Sequence, residues 1–293
     1  MTTDDLLIIA TGALVAVSCA LLGSFLLLRG MTMIGDAISH AVLPGIAIAY
    51  LVSGSRASGI MLAGAALFGL LTTAGIEWLR ERARLQADAS IGIVFTGLFA
   101  LGIVLISAYA GQIDLDLDCV LFGEIAYVPL DLWILPDGRV MGPVPVWLLG
   151  GLLLAIAALI VIAYKPLLLT SFDPMHAAAA GISAVVWHYI LMGFVSAATV
   201  LSFESVGAIL VLSFLTGPPA AAFLLTRRLR PMLLLASGAG VLAAGLGYGL
   251  AVWLDGSIAG AMAVVIGAEF ALALAWHLYR RRTASAPPAE EPA

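Results

Sequence analysis

The chain has 293 residues, of which 62% are hydrophobic and only 11% are charged, and its formal net charge is −5. About a quarter of the residues in a typical soluble domain are charged, so this composition, with a mean hydropathy of +1.12, excludes a water-soluble globule. The apolar residues occur in stretches of about twenty, the length that a helix needs to cross a hydrocarbon core of roughly 30 Å. The sequence therefore predicts an all-α, polytopic membrane protein.

Nine stretches are long and apolar enough to be candidate transmembrane helices. They are Leu6–Leu28, Ile34–Leu51, Ile60–Leu79, Ser90–Tyr109, Val146–Tyr164, Val186–Leu201, Val206–Leu225, Met232–Leu254 and Ile258–Tyr279. We expect residues 1–282 to form one transmembrane domain, a bundle of about eight or nine helices. Residues 283–293 are rich in Pro, Ala and Glu, which predicts a disordered tail.

The basic residues orient these spans. Eleven of the thirteen follow odd-numbered spans, namely Arg29, Arg80, Arg82, Arg84, Lys165, Arg227, Arg228, Arg230, Arg280, Arg281 and Arg282. Positive charge accumulates in the cytoplasmic loops of membrane proteins. The sequence therefore predicts an outside N-terminus, a cytoplasmic C-terminus and a cytoplasmic loop at about 165–186. Most of the acidic residues outside the spans lie in the opposite, outer segments.

An acid–histidine pair opens the second span. Asp36 and His40 are four residues apart, so on a helix they share one face with about 5–6 Å between their Cβ atoms. A carboxylate and an imidazole at this spacing can bind one divalent transition metal. Alternatively, Asp36 caps the helix and His40 is a packed, buried histidine. Ionisable groups inside a span are costly and usually line a pathway, which favours the metal site.

The residues around this pair resemble a known family. Arg29–Met31 followed by Gly35–Gly45 resembles the signature of the permease subunits of ABC transporters for manganese, zinc and iron. Further stretches resemble the same family: Leu121–Glu124, Lys165–Pro174, Ala177–Gly181, His188–Tyr189, Ser205–Val211, Pro218–Ala221 and Leu224–Thr226. The segment Ala126–Asp131 is most similar to the branch associated with manganese or iron. One departure is the pair Pro218-Pro219, which predicts a sharp break in the seventh span.

The resemblance implies that Asp36 and His40 contact the metal as it crosses. It also implies that a short helix within the 165–186 loop docks on an ATP-hydrolysing subunit. The residues suit such a helix, with a capping acid, proline at the first position and glycine after the end. The predicted coupling residues are Phe172, Asp173, Pro174, Met175 and Gly181.

The chain carries no GxxxxGK[ST] phosphate loop, so we expect a separate cytoplasmic ATP-binding subunit to hydrolyse the ATP. The resemblance implies two further partners, an extracytoplasmic metal-binding protein and a second permease chain, in the lipid of the cell membrane. We expect no cofactor of its own, no enzymatic activity and no nucleic-acid partner. The sequence leaves Mn, Fe and Zn open as the cargo, with a preference for Mn or Fe.

Two other carboxylates are candidates for the metal path. Glu204 lies where the sixth and seventh spans meet, and Glu269 lies within the ninth span. For Glu204, a solvated carboxylate in a turn is the favoured alternative. For Glu269, a polar contact between helices explains the residue as well as a functional role does. The alternative function is a stand-alone secondary transporter or channel, which would not need a docking helix. An intramembrane metalloprotease would need a fuller ligand motif such as H-E-x-x-H, and this sequence has none.

Overall fold

The computed structural model describes residues 2–54, 58–109, 125–134 and 139–284. They form a helical bundle with one small hairpin. In chain order the helices are α1 (Thr3–Leu28), α2 (Ile34–Ala41), α3 (Leu43–Ser53), α4 (Ser58–Ala83), α5 (Ala87–Tyr109), α6 (Val144–Ile162), α7 (Tyr164–Phe172), α8 (Pro174–Ala179), α9 (Ala184–Val206), α10 (Ala208–Leu225), α11 (Leu229–Leu254) and α12 (Ile258–Ala284). A 3₁₀ turn (Ile125–Leu130) and strands β1 (Leu132–Ile134) and β2 (Val140–Pro143) precede α6.

Eight segments of the described chain are long and apolar enough to cross a membrane: α1, α2 with α3, α5, α6, α9, α10, α11 and α12. The third predicted span coincides with α4, a helix of 26 residues that packs against α3, α5 and α9. The prediction of a polytopic helical bundle is confirmed. Ile162, Leu234 and Leu154 are 84%, 76% and 73% exposed, as expected for side chains that face lipid rather than water.

Helix α1 lies at the centre of the bundle and packs against α6, α9, α10 and α11. Its buried residues include small ones, such as Gly12, Ala16 and Gly23, which let neighbouring backbones approach closely. A Cβ atom on Gly23 would overlap the carbonyl group of Leu215 in α10. This contact fixes the position of α10 against α1.

The predicted break at Pro218-Pro219 is wrong, because α10 continues as one helix through both prolines. Pro219 has no N–H, so it cannot donate the helical hydrogen bond to the carbonyl of Leu215, four residues earlier. That carbonyl is the group that lies against Gly23 of α1. Neighbouring helices can compensate for backbone bonds that proline removes, and Gly23 lets α1 approach this carbonyl closely.

Three local features differ from the sequence prediction. Strands β1 and β2 pair antiparallel, with Leu132 opposite Pro143, so the described fold is not purely helical. The loop at 165–186 contains two helices, α7 and α8, instead of one. Helix α12 continues to Ala284, two residues into the predicted tail. The outer acidic residues Asp114, Asp116, Asp118 and Glu124 lie outside the described residues.

We predict that Gly23→Ala destabilises the protein, because the added methyl group would overlap the Leu215 carbonyl. Overpacking of this kind typically costs about 1–3 kcal/mol. Gly238→Ala in α11 is the matched control, since a Cβ atom there meets nothing within 4 Å. Thermal unfolding of both variants in detergent would test this. We expect a lower midpoint for Gly23→Ala only, and equal midpoints would contradict the packing argument.

Candidate metal site and coupling helix

The acid–histidine pair lies on α2, a helix of only eight residues. The Asp36 Oδ1 atom is 3.6 Å from the His40 Nε2 atom, and the two side chains are 34% and 26% exposed. The residue before the helix is Met33, and no side chain caps its N-terminus. The interpretation of Asp36 as a helix cap is therefore wrong. The carboxylate instead faces the imidazole, one helical turn away.

The pair lies near mid-depth in the bundle. Ile38, between the two residues, is beside Gly69 of α4, and the Ser196 hydroxyl of α9 lies over the same glycine. Both Gly69 and Ser196 are near the middle of long helices. On the other side of α2, Gly35 lies against Leu215, near the middle of α10. Substrate sites of membrane transporters commonly lie at this depth, where a spanning helix is interrupted.

Two phenylalanines of α5 hold the imidazole ring. The centroids of the His40 and Phe95 rings are 5.3 Å apart, and those of His40 and Phe99 are 5.6 Å apart at a nearly perpendicular angle. Aromatic pairs of this geometry add to the packing energy. They restrict the ring while Nε2 stays on the side of Asp36. These phenylalanines give no signal in the sequence, because apolar residues are ordinary in a span.

The junction between α2 and α3 lies two residues after His40. Val42 separates α2 from α3, and Pro44 lies in the first turn of α3. Proline cannot donate a hydrogen bond to the carbonyl four residues earlier, here that of His40. A Cβ atom on Gly45 would overlap the Gly64 carbonyl, and the Pro44 ring packs on Gly102. The interruption is thus held by close packing against α4 and α5.

The described residues contain no cluster of three or more His, Cys, Asp or Glu side chains that could hold a metal. Asp36 and His40 alone would therefore supply only part of a coordination shell. Glu204 is exposed in the last turn of α9. With a helical rise of 1.5 Å per residue, it lies roughly 24 Å from His188, which is near the other end of the same helix. Glu269 is half-buried in α12, and its Oε2 atom has no hydrogen-bond partner. Helix α12 packs on α10 and α11, whereas α2 packs on α4, α5, α9 and α10.

The short helix α8 has the predicted ends. The Asp173 carboxylate accepts a hydrogen bond of 2.9 Å from the His176 N–H, and Pro174 is the first residue. Gly181 follows the helix with φ of +76°, and the Ile182 N–H bonds the Ala177 carbonyl. This pattern closes a helix at its C-terminus.

The two faces of this region differ in exposure. The Ala177 side chain of α8 is fully buried, whereas Met175 is 84% exposed. Phe172, at the end of α7, is 56% exposed. The small alanine seats α8 on the bundle, and two large apolar side chains point away from it. Such a surface suits a partner protein.

A cluster of polar side chains lies beside α7. The Arg29 guanidinium donates to the Ser171 and Thr170 hydroxyls at 3.1 and 2.9 Å. Burial lowers the pKa of Arg29 to about 10, so the group stays charged at neutral pH. Glu77 is 3.1 Å from Arg80 and 3.8 Å from His188. His188 thus joins a network between α4 and α9.

Comparisons with known proteins agree with this architecture. The ABC 3 transport family matches residues 6–277. The manganese transport system membrane protein MntD of Bacillus subtilis is 48% identical over 266 residues, which are 91% of this chain and 90% of that protein. The zinc transport system membrane protein TroD of Treponema pallidum is 41% identical over 277 residues, 93% of this chain and 73% of that protein.

A solved structure, PsaBC from Streptococcus pneumoniae in complex with Fab, matches with a TM-score of 0.75 and 31% identity. The match covers 93% of this chain and 91% of that one. Sequence and fold therefore agree over nearly the whole length. The chain belongs to the ABC 3 transport family, as one of its membrane-spanning transport proteins.

Proposed function

We propose that the protein is the permease subunit of an ABC importer for a divalent transition metal, and that Asp36 and His40 contact the metal as it crosses. One observation carries this proposal. A carboxylate and an imidazole lie 3.6 Å apart near mid-depth in a largely apolar bundle. Ionisable groups at this depth are costly and usually belong to a substrate pathway.

The chemistry of the pair suits a first-row metal ion. The carboxylate oxygen and the neutral imidazole nitrogen are ligands for Mn, Fe and Zn alike. The remaining ligands come from water or from a second permease chain. The partial exposure of both side chains supports this, because the open side of the pair is available to further ligands. Glu204 and Glu269 belong to other parts of the path or to helix contacts.

The predicted orientation is supported by the distribution of basic residues. One groove is lined by Phe172 together with Arg227, Arg228, Arg280 and Arg281, and a neighbouring cavity is lined by Arg29 and Arg80. These residues come from distant parts of the sequence and meet at one end of the bundle. We assign this end to the cytoplasm, with the N-terminus outside and the C-terminus inside.

Helix α8 lies at the same end, where a cytoplasmic ATP-binding subunit can reach it. We propose that the partner seats on α8 and on the exposed side chains of Phe172 and Met175. An apolar helix face in a groove is a common mode of docking. ATP hydrolysis then takes place on the separate subunit, and a metal-binding protein delivers the ion from outside. The complex resides in the cell membrane with a second permease chain.

The cargo is proposed to be Mn or Fe. MntD is named for manganese and TroD for zinc, so relatives at more than 40% identity differ in the named ion. The Asp36–His40 pair contains one hard oxygen and one borderline nitrogen. Such a pair accepts Mn and Fe as well as Zn, whereas a thiolate-rich site favours softer ions.

We predict that Asp36→Asn and His40→Ala each reduce metal uptake at least tenfold, because each removes one ligand from the ion in transit. Insertion and assembly should be unchanged. Asp255→Asn is the matched control, since Asp255 lies at the junction of α11 and α12 and its left-handed backbone suits asparagine. Uptake is measured in vesicles at matched protein levels. Normal uptake by either site variant would contradict the assignment.

We predict that the double variant Phe172→Asp with Met175→Asp loses the ATP-binding subunit, because two apolar contacts become charged. Co-purification of the subunit with the permease measures the loss. The control is Phe172→Leu with Met175→Leu, which keeps the surface apolar and should retain the partner. A full complement of the ATP-binding subunit on the Asp variant would exclude α8 as the docking site.

We predict that Zn competes with Mn for transport, because protein sites generally hold Zn more tightly than Mn. Uptake of labelled Mn by the assembled transporter should fall as Zn is added. Addition of Mg at the same concentrations is the control, since Mg prefers a shell of oxygen ligands. If the transporter carries Zn but not Mn, the preference for Mn or Fe is wrong and the cargo is zinc.

A further inference from the structure

The end of α1 is hydrogen-bonded to the end of α7 through one side chain. The Arg29 Nη2 atom donates to the Thr170 hydroxyl and the Nε atom donates to the Ser171 hydroxyl. Each hydroxyl in turn donates to a backbone carbonyl of α7, Thr170 to Pro166 at 2.8 Å and Ser171 to Leu167 at 2.7 Å. The hydroxyl hydrogens are thus directed at α7, and the oxygen lone pairs remain for the guanidinium.

On the α1 side, this contact is close in sequence to the proposed metal pair, Asp36 and His40. A tight turn follows Arg29, in which Gly30 has φ of +66° and the Met31 N–H bonds the Leu26 carbonyl at 2.9 Å. Met31 is buried, and its carbonyl accepts from the N–H of Ile34, the first residue of α2. Each step is hydrogen-bonded, so the segment from Arg29 to Asp36 has little slack.

On the α7 side, the contact is equally close in sequence to α8, the proposed coupling helix. Ser171 is followed by Phe172 and then by Asp173, whose carboxylate caps α8. The backbone of α7 continues to that point, because the Asp173 N–H bonds the Leu169 carbonyl at 2.8 Å. A displacement of α8 by a bound partner therefore displaces Thr170 and Ser171 as well.

The arginine is placed so that its contact can change during a cycle. It lines a cavity of about 350 Å³ together with Glu77, Arg80 and His188. The carboxylate of Glu77 pairs with Arg80 at 3.1 Å, so the partners of Arg29 are neutral hydroxyls. The two parallel donations use the planar fork of the guanidinium, which an ammonium group does not have.

We propose that Arg29 is a positioning residue that links the coupling helix to the metal pair. Movement of α8 reaches Arg29 through Thr170 and Ser171, and it continues through the turn at Gly30 into α2, where it displaces Asp36 and His40. The inference rests on the proposed function, since it assumes that α8 receives the ATP-binding subunit and that the pair contacts metal. Arg29 itself touches neither the metal nor ATP.

The test uses the complete transporter, reconstituted in vesicles with its ATP-binding subunit, and measures Mn ions taken up per ATP hydrolysed. Four variants are compared. They are Arg29→Met, Arg29→Lys, the double hydroxyl variant Thr170→Val with Ser171→Ala, and the triple variant that combines the double hydroxyl variant with Arg29→Met. We expect the ATP-binding subunit to co-purify and ATP hydrolysis to continue in each. Uptake per ATP should fall tenfold or more for Arg29→Met and for the double hydroxyl variant, with Arg29→Lys intermediate.

The triple variant should be no worse than Arg29→Met, because changes that remove one shared interaction are not additive. Arg82→Met is the control. Arg82 lies in the last turn of α4, as Arg80 does, and this variant should retain wild-type uptake per ATP. Wild-type uptake per ATP in Arg29→Met, or additive losses in the triple variant, would overturn the link. If Arg29→Met does not assemble, the double hydroxyl variant decides alone, and wild-type coupling in it overturns the proposal.

Asp36→Asn, measured in the same vesicles, separates this inference from the proposed function. If Asp36→Asn abolishes uptake and Arg29→Met does not, the metal pair stands and the link is wrong. If Asp36→Asn transports normally, the assignment of the pair fails, and the link to it fails for that reason. Loss of uptake per ATP in both, with the ATP-binding subunit bound, supports both.

Discussion

The absence of water from the hydrocarbon core constrains every polar group in this protein. A buried carboxylate or imidazole without a partner costs several kcal/mol, so the bundle tolerates very few. Asp36 and His40 face each other at 3.6 Å, and Phe95 and Phe99 pack on the ring. The interrupted helix that carries them is held by glycine contacts to α4 and α5. Much of the local architecture thus serves to keep one polar pair in place.

Much of the fold follows from the sequence because the membrane simplifies the physics. Apolar stretches of about twenty residues predict spans, and the spacing of Asp36 and His40 predicts a shared face. The ends of α8 were also predictable, because a capping acid, a proline and a glycine act locally. Each of these signals depends on residues within a few positions of one another.

The features that escaped prediction depend on contacts between distant segments. The double proline in α10 reads as a helix break, yet the helix continues, with the Leu215 carbonyl against Gly23 of α1. In the sequence, Phe95 and Phe99 look like lipid-facing residues. Their contact with His40 depends on the packing of α2 on α5. In the sequence, Arg29 looks like an ordinary loop charge. Only the fold brings it to Thr170 and Ser171, which are 141 and 142 positions away. Local propensity carries no information about such contacts.

The shortness of α2 has a consequence for the proposed binding and release of an ion. Asp36 and His40 are one turn apart on a rigid helix of eight residues, so their spacing is fixed unless the helix unwinds. At the junction with α3 the backbone of Val42 stays helical, and the bond that is lost there is the one that Pro44 cannot donate to the His40 carbonyl. In the proposed role, the pair would therefore act as a bidentate ligand of constant spacing. A change between tight and weak binding would then come from the remaining ligands of the ion.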